Sequence, residues 1–530
     1  MALGIDESGD RGGRPLALLL AMAMFVFVID TSLMNVSISA VVGDLDTTVS
    51  GVQSAIAVEA LVSAAFILIG SKLGDLYGRK RAYNVGLLMY ISGAVAMVFA
   101  QSLAPIIVFW SVLGGLGASL YLPAMQSLIH GNFEGKAQAK AYALVGASAA
   151  IAAAIGPLLG GFLTTYLSWR VGFALEAVII IVVLLGSRKQ LRDVAYTGER
   201  GIDLVGSVLS VLGMGGLVLG ILAWQEGGES VGALMFAGLA ALTLLVFWLL
   251  SQRRRERPAL LDPNLFGSRT FSFGISQGIL QQVALGGLLI ALPIYLQMVL
   301  EYNALQAGLS LAPLSLTMFG VALLAGKKAG KRRPAGIIRW GFMLLTLGLV
   351  VLIPVVPRAD SGWYLLLPLV VAGAGLGLLV SQLNNYTLAP ISEERVSEAA
   401  GVNSAAGSFG LSFGLAFAGA IMLATLSIAF TNMAASSTVL SASEQQQVAT
   451  ALEEDAEVMS NTALAEQLVG QPPATQGEII RINTDARPLA LQIALLIPIL
   501  AGLIGLFNSF RMMRLPDPTP SGSAEGMVLG

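Results

Sequence analysis

Three carboxylates stand alone inside long apolar runs of this sequence: Asp30 within residues 16–42, Glu59 within 50–72 and Glu176 within 170–188. A charged side chain at the centre of a bilayer costs about 2.5–3.5 kcal/mol even on insertion scales that include local relief, so an acid there is a functional candidate. Carboxyls that have lost their water and sense one another's charge are suited to taking up and releasing a proton. A permanently protonated, purely hydrogen-bonding role is the alternative for each. Amides occupy comparable positions later in the chain, at Gln281, Gln282, Gln297, Gln382, Asn384, Asn385 and Asn403, with Tyr295 and Tyr386 among them. They could line a polar path or tie helices together. No carboxylate accompanies them inside a span, so proton handling is expected in the N-terminal half.

What must position these groups is a set of membrane helices. The chain is 55% hydrophobic and 12% charged with mean hydropathy +0.78, against roughly a quarter charged in a soluble domain. Crossing hydrocarbon takes roughly twenty apolar residues. Fourteen runs qualify: 16–42, 50–72, 83–101, 105–128, 142–166, 170–188, 204–224, 231–251, 270–298, 305–325, 335–356, 362–387, 401–430 and 487–510. Lys and Arg gather after the even-numbered runs, as at Lys72 and Arg79 to Arg81, at Lys136 and Lys140, at Arg188 to Arg200, at Arg253 to Arg257 and at Lys327 to Arg333. The loops after runs one, three, seven and nine hold none. By the positive-inside rule both termini are cytoplasmic, as an even number of spans requires, in a multi-pass protein of the cell (plasma or inner) membrane. Each basic cluster abuts a span, which favours lipid headgroups over nucleic acid as its partner.

The absence of cysteine and the single histidine, His130, argue against disulfides, thiolate chemistry, a metal centre or a Ser-His triad. No Walker-type loop is present, so neither ATP nor another cofactor is expected. The N-terminus mixes Asp6, Glu7 and Asp10 with Arg11 and Arg14, and the first run is too long for a cleavable signal.

Polar stretches at 187–203 and 251–270 isolate a central pair of runs between two groups of six. The expected organisation is a cytoplasmic N-terminus (1–15), an N-terminal six-helix bundle (16–188), a linker with two extra helices (189–269), a C-terminal six-helix bundle (270–510) and a disordered cytoplasmic tail (511–530). The 431–486 loop falls outside the membrane and is acidic, with Glu444, Glu453, Glu454, Asp455, Glu457, Glu466, Glu478 and Asp485 against Arg481. Its centre, 443–468, places Ala451, Leu452, Val458, Leu464 and Leu468 on one helical face, which suits two short amphipathic helices capping the surface. A solvated linker is the equal alternative.

The loop after the second run reads Ser71-Lys72-Leu73-Gly74-Asp75-Leu76-Tyr77-Gly78-Arg79-Lys80-Arg81. Asp75 lies at a helix C-terminus, where the macrodipole disfavours a carboxylate. It needs a partner, either Arg79 or the N-terminus of a helix from the other half, and such a contact can form in one conformation and break in another. The spacing of Leu73, Gly74, Asp75, Gly78, Arg79 and Lys80 resembles the signature loop of the major facilitator superfamily, with Ser71 where a glycine is usual. Gly156-Pro157-Leu158-Leu159-Gly160-Gly161 in the fifth run is similar to the antiporter motif of that superfamily's exporters, with Ala152 at a further glycine position. Its proline kinks the helix and its glycines admit neighbours. Asp30, Ser32 and Asn35 resemble the first-helix pattern of the fourteen-helix drug:proton antiporter branch, in which Thr and Pro are more usual at Ser32 and Ser39. Trp169-Arg170 extends the likeness, which covers about residues 16–510.

Departures from the family matter as much. Ser111 stands where an arginine is usual, and Glu59 and Glu176 where tyrosine and asparagine are more common. The bundle loses a cation and gains two acids.

The resemblance implies an all-α polytopic fold of two six-helix bundles plus two central helices, and a proton-coupled exporter of amphiphilic small molecules such as drugs, of cationic type, rather than an enzyme. Asp30, Glu59, Glu176 and Asn35 are the expected proton and substrate residues, the proton gradient the driving force, and a monomer the working unit. Two other readings remain open. One is export or flipping of a lipid-like product, with the 431–486 loop docking an envelope partner. The other is a non-transporting sensor or scaffold.

Overall fold

Fourteen helices are long and apolar enough to cross a membrane, in a computed structural model that describes residues 13–133, 135–193, 203–225, 230–255, 257, 259–326, 333–391, 396–441, 443–446, 448 and 461–516. They are α1 (Gly13–Val36), α2 (Val49–Tyr77), α3 (Arg79–Phe99), α4 (Leu103–Ile129), α5 (Lys140–Tyr166), α6 (Trp169–Gln190), α7 (Leu204–Trp224), α8 (Val231–Arg254), α9 (Arg269–Val299), α10 (Ala304–Gly326), α11 (Pro334–Arg358), α12 (Gly362–Leu388), α13 (Glu398–Ala435) and α14 (Pro473–Met512). The basic residues Arg200 and Lys327 to Arg332, most of the acidic stretch around Glu453 to Glu457, the first residues of the N-terminus and the tail from 517 lie outside the described residues, as does the side chain of Lys136.

Two limits differ from the hydropathy reading. The first apolar run is two helices, because Ser37 turns its hydroxyl onto the Leu33 carbonyl at 2.8 Å and a short helix, Ile38–Leu45, follows. The last span starts well before 487. Pro473 is preorganised for a helix's first turn, and Ile479, Ile482 and Ala486 recur on one buried face, so the helix runs from Pro473 to Ala494, breaks at Leu495 and resumes from Leu496 to Met512. With α13 extending to Ala435, much of the supposed 431–486 loop is helical at its ends, and among the described residues Asn461–Gln467 forms a short helix between them. Leu440 and Leu464 are buried under this cap.

Packing repeats from one half to the other. In the first six helices α1 packs on α5 and α6, α3 on α4 and α6, and α2 on α4; in the last six α9 packs on α13 and α14, α11 on α12 and α14, and α10 on α12. That correspondence is an internal structural repeat. The halves meet along two seams related by the same repeat, α2 against α13 and α5 against α10. The central pair α7–α8 attaches through α7, which lies on both α2 and α13. Asp203 fixes its base, accepting from the Trp248 indole at 2.9 Å and the Leu260 amide at 3.0 Å. Much of α8, including Phe236 and Phe247, remains exposed, as a lipid-facing helix should be.

One end of the bundle carries the Lys- and Arg-rich loops and the other carries Asp44, Asp46 and the cap. Near the acidic end a single apolar core crosses the seam, joining Leu33, Val36 and Val49 to Leu288, Ala307 and Leu426. Toward the basic end the N-terminal bundle has its own core, built around Leu20, Tyr83, Tyr90 and Tyr121.

Candidate functional site: buried carboxyls and the bundle seams

The structure brings Asp30, Glu59 and Glu176 from α1, α2 and α6 into the interior of the N-terminal bundle, all at 5% exposure or less. Asp30 is near enough to both others for the charges to interact. Asp30 Oδ2 accepts a hydrogen bond of 2.5 Å from the Tyr90 hydroxyl, and the Trp110 indole N–H lies 3.0 and 3.1 Å from the two carboxyl oxygens. Two neutral donors thus meet the Asp30 carboxyl in the interior of the bundle. Neither oxygen of Glu176 meets a hydrogen-bond partner among the described residues, so nothing compensates a charge there.

Tyr90 and Trp110 are site residues that the sequence reading missed. Trp110 reaches Asp30 from a stretch, Ile106–Gly114, wound as a π-helix. Such a bulge rotates the side chains that follow and is frequent at functional sites. Helical periodicity conceals it. The one available signal was the presence of polar-tipped aromatics in apolar spans. Beside Trp110, the Ser111 hydroxyl donates to the Ala55 carbonyl at 2.7 Å, a short tie between α4 and α2 where the family usually has a cation.

Asn35 is buried, but it folds its amide onto the Thr31 carbonyl at 2.7 Å, and its oxygen meets no partner among the described residues. It belongs to the stretch of α1 that packs against the antiporter-like motif. A Cβ on Gly156 would come within 2.5 Å of Ser32 Cβ, and one on Gly160 within 2.9 Å of Leu33 Cα. Gly161 faces the opposite way: its Cβ would fall 2.4 Å from the Ala304 carbonyl oxygen, and one on Gly308 of α10 would fall 2.1 Å from that of Pro157. The motif therefore forms a glycine-to-glycine seam between the bundles. It is reinforced by the Leu305 amide donating to Thr165 Oγ1 at 3.0 Å and by Ser39 donating to Gln297.

In the loop after α2, Asp75 pairs with Arg79 at 3.0 Å, within its own segment. Gly78 turns there with φ +103°, and Asp193, beyond α6, occupies the space where its Cβ would be, 2.6 Å away. Asp193 also accepts from the Lys80 amide at 3.1 Å, while Lys80 Nζ donates to the Leu191 carbonyl at 2.7 Å. Leu73 and Gly74 complete the helix end. The loop is thereby tied to the start of the 189–269 linker.

The C-terminal amides divide into two groups. Gln277 donates to the Gly505 carbonyl at 2.9 Å and Tyr295 to that of Val356 at 2.9 Å, which ties helices together. Asn384 and Asn403 are bonded to each other at 2.5 Å and exposed; a cleft of about 310 Å3 lies between Leu122 and Gln126 of α4 and Ala400 and Ser404 of α13. At the acidic end an apolar cleft of about 380 Å3, lined by Val49, Ile294, Tyr295, Met298 and Leu423, holds one cation, Arg487. Arg487 is 6% exposed and its Nε donates to Asn483 Oδ1 at 3.0 Å. Neither cleft contains the three acids. Among the described residues no group of three or more His, Asp or Glu side chains is arranged to hold a metal ion.

Two packed six-helix repeats that meet along two seams, with acids buried inside one of them, have the architecture of a membrane transporter. The family model of the Major Facilitator Superfamily matches residues 20–415, and the chain belongs to that superfamily. It is 26% identical to the probable actinorhodin transporter of Streptomyces coelicolor, over 75% of this chain and 70% of that one. It is 28% identical to the multidrug resistance protein Stp of Mycobacterium tuberculosis, over 77% of this chain and 75% of the relative. With the quinolone resistance protein NorB of Staphylococcus aureus it shares 26%, over 78% and 89%. Among solved structures, a bacterial homolog of the lysosomal transporter Spinster superposes with a TM-score of 0.61 at 14% identity, covering 95% of this chain and 99% of that one. The peptide transporter POT gives 0.59 at 14%, covering 97% of both. At that identity the likeness concerns the fold alone.

Proposed function

We propose that the protein is a proton-driven exporter of amphiphilic, cationic small molecules, working as a monomer in the plasma or inner membrane with both termini in the cytoplasm and without a cofactor. The observation that carries the reading is the gathering of Asp30, Glu59 and Glu176 from three helices inside one bundle, with Asp30 on the helix that packs against the seam helix α5. Asp30 lies on α1 only three residues from Leu33, which packs on Gly160 of α5, and α5 meets α10 through Gly161. A change of charge at Asp30 therefore acts on the helix pair that holds the acidic end shut. With protons taken up from outside and released inside, the two charge states favour different positions of the bundles, and substrate moves the other way. The relatives' names, actinorhodin transport and multidrug and quinolone resistance, support small-molecule export. The Lys- and Arg-rich loops support the orientation.

The test is purified protein in vesicles with an imposed pH gradient and ethidium as probe. Gradient-dependent ethidium movement that stops when the gradient is collapsed is the expected result. Movement indifferent to the gradient would overturn the coupling. No movement of ethidium, with transfer of labelled phospholipid instead, would favour the lipid-exporter reading, and neither would favour a scaffold.

A further inference from the structure

Three tyrosines sit in the apolar core of the N-terminal bundle toward its basic end. Tyr83 and Tyr121 are fully buried and Tyr90 is 3% exposed. Tyr83 and Tyr90 lie seven residues apart on α3, two turns and about 10 Å along one helix face. Tyr121 of α4 stands between them, its ring centroid 6.4 Å from that of Tyr83 and 5.7 Å from that of Tyr90. Tyr90 ends the row with its hydroxyl on Asp30 at 2.5 Å. The hydroxyls of Tyr83 and Tyr121 are buried without a hydrogen-bond partner among the described residues. A hydroxyl in that condition destabilises a fold by about 1–3 kcal/mol relative to a satisfied one, and phenylalanine would fill the same space without the penalty. Packing thus gives no reason for these oxygens, whereas their alignment from the carboxyls toward the basic end does.

We propose that Tyr90, Tyr121 and Tyr83 form a hydroxyl relay by which the carboxyl cluster exchanges its proton with the basic end of the protein. The inference rests on the proton-coupled reading above and adds its route. When Asp30 gives up its proton, the Tyr90 oxygen accepts it as the Tyr90 hydroxyl proton passes toward Tyr121, and Tyr121 and then Tyr83 repeat the exchange. Each tyrosine ends neutral, Asp30 ends as a carboxylate, and one proton leaves into water. Each link between neighbouring rings requires a water of the kind that bridges buried polar groups. The groups facing Asp30 are Glu59 from α2, Tyr90 from α3, Trp110 and Tyr121 from α4 and Glu176 from α6. α5, also packed on α1, brings no Asp, Glu, Lys, Arg or His between Ala141 and Tyr166.

The experiment compares the wild type with Tyr121→Phe and Tyr83→Phe in vesicles, reading proton movement with a trapped pH dye, ethidium affinity on the purified protein, and thermal stability. Both variants are expected to be at least as stable as the wild type and to bind ethidium equally. Their proton movement should slow by about tenfold or more, the scale of a lost proton-transfer group, with an altered pH profile. Unchanged proton movement and profile in both variants, beside a coupled wild type, would overturn the relay and leave the coupling standing. A wild type that moves no protons would overturn both. Variants that fail to fold would overturn the premise that the hydroxyls serve no packing role.

Discussion

The interiors of the two bundles share one packing pattern and differ in chemistry. In the N-terminal half, Asp30, Glu59 and Glu176 are buried together with only neutral donors nearby, and several hydroxyls and carboxyl oxygens go unmatched. In the C-terminal half the polar groups are mostly amides; Gln277 and Tyr295 donate to main-chain carbonyls of neighbouring helices, while Gln277 Oε1 and Gln297 Nε2 meet no partner among the described residues. A polar group that ties helices together stabilises the fold. What separates the halves is the acids: a carboxyl buried without partners, as at Glu176, weakens the fold far more than an unmatched amide would, and packing gives no reason for it. The repeat supplies two copies of a scaffold, and the three buried carboxyls stand in one.

The comparison is broken most severely at Asp30. Asp30→Asn keeps the hydrogen bond from Trp110 and can still meet Tyr90, so the protein should fold. Proton-driven efflux is expected to fall by about a hundredfold or more, and retained coupling would move the site elsewhere in the bundle. At the seam, Gly308→Ala would set a methyl 2.1 Å from the Pro157 carbonyl oxygen. Overpacking of that kind costs about 1–3 kcal/mol, which shifts a two-state population about five- to 150-fold. A cysteine at Met298, in the cleft at the acidic end of this naturally cysteine-free chain, should label correspondingly faster; equal rates would mean that the seam relaxes without opening.

Glu176→Leu sharpens the contrast from the side of stability. Removing a buried carboxyl that meets no partner should raise unfolding free energy by about 1–3 kcal/mol while transport is lost. A destabilised variant would show that the acid is structural. Tyr295→Phe is the counterpart in the other bundle: it should lower stability by about 1 kcal/mol and leave the pH profile of transport unchanged. The smallest effect is expected at Asp75. Its partner is Arg79 one turn away, and the amide of Asp75→Asn still accepts from that guanidinium, so the variant should cost about 1 kcal/mol. A larger loss, with faster labelling of a cysteine at Gln126 near the basic end, would restore a gate contact to the opposite bundle.

Composition and periodicity by themselves determined that this is a membrane protein of fourteen spans, because hydrocarbon must be met by about twenty apolar residues wherever a helix crosses. The glycine and proline spacings marked where helices approach closely, and lone acids in apolar runs stood out because charge there is expensive. Tertiary structure alone decided which groups meet. Asp30 joins Glu59, Glu176, Tyr90 and Trp110 from four other helices, a convergence that no local pattern encodes, and the π-helical turn that aims Trp110 is invisible to a 3.6-residue period. Asp75 was left with two possible partners, and only the folded loop chose Arg79. The start of the last span at Pro473 was hidden for a related reason: its first turns are polar on one side and buried by the cap on the other, so hydropathy averaged over both faces reads them as loop. Hydropathy reports the cost of leaving water, whereas partners and faces are set by chains distant in sequence.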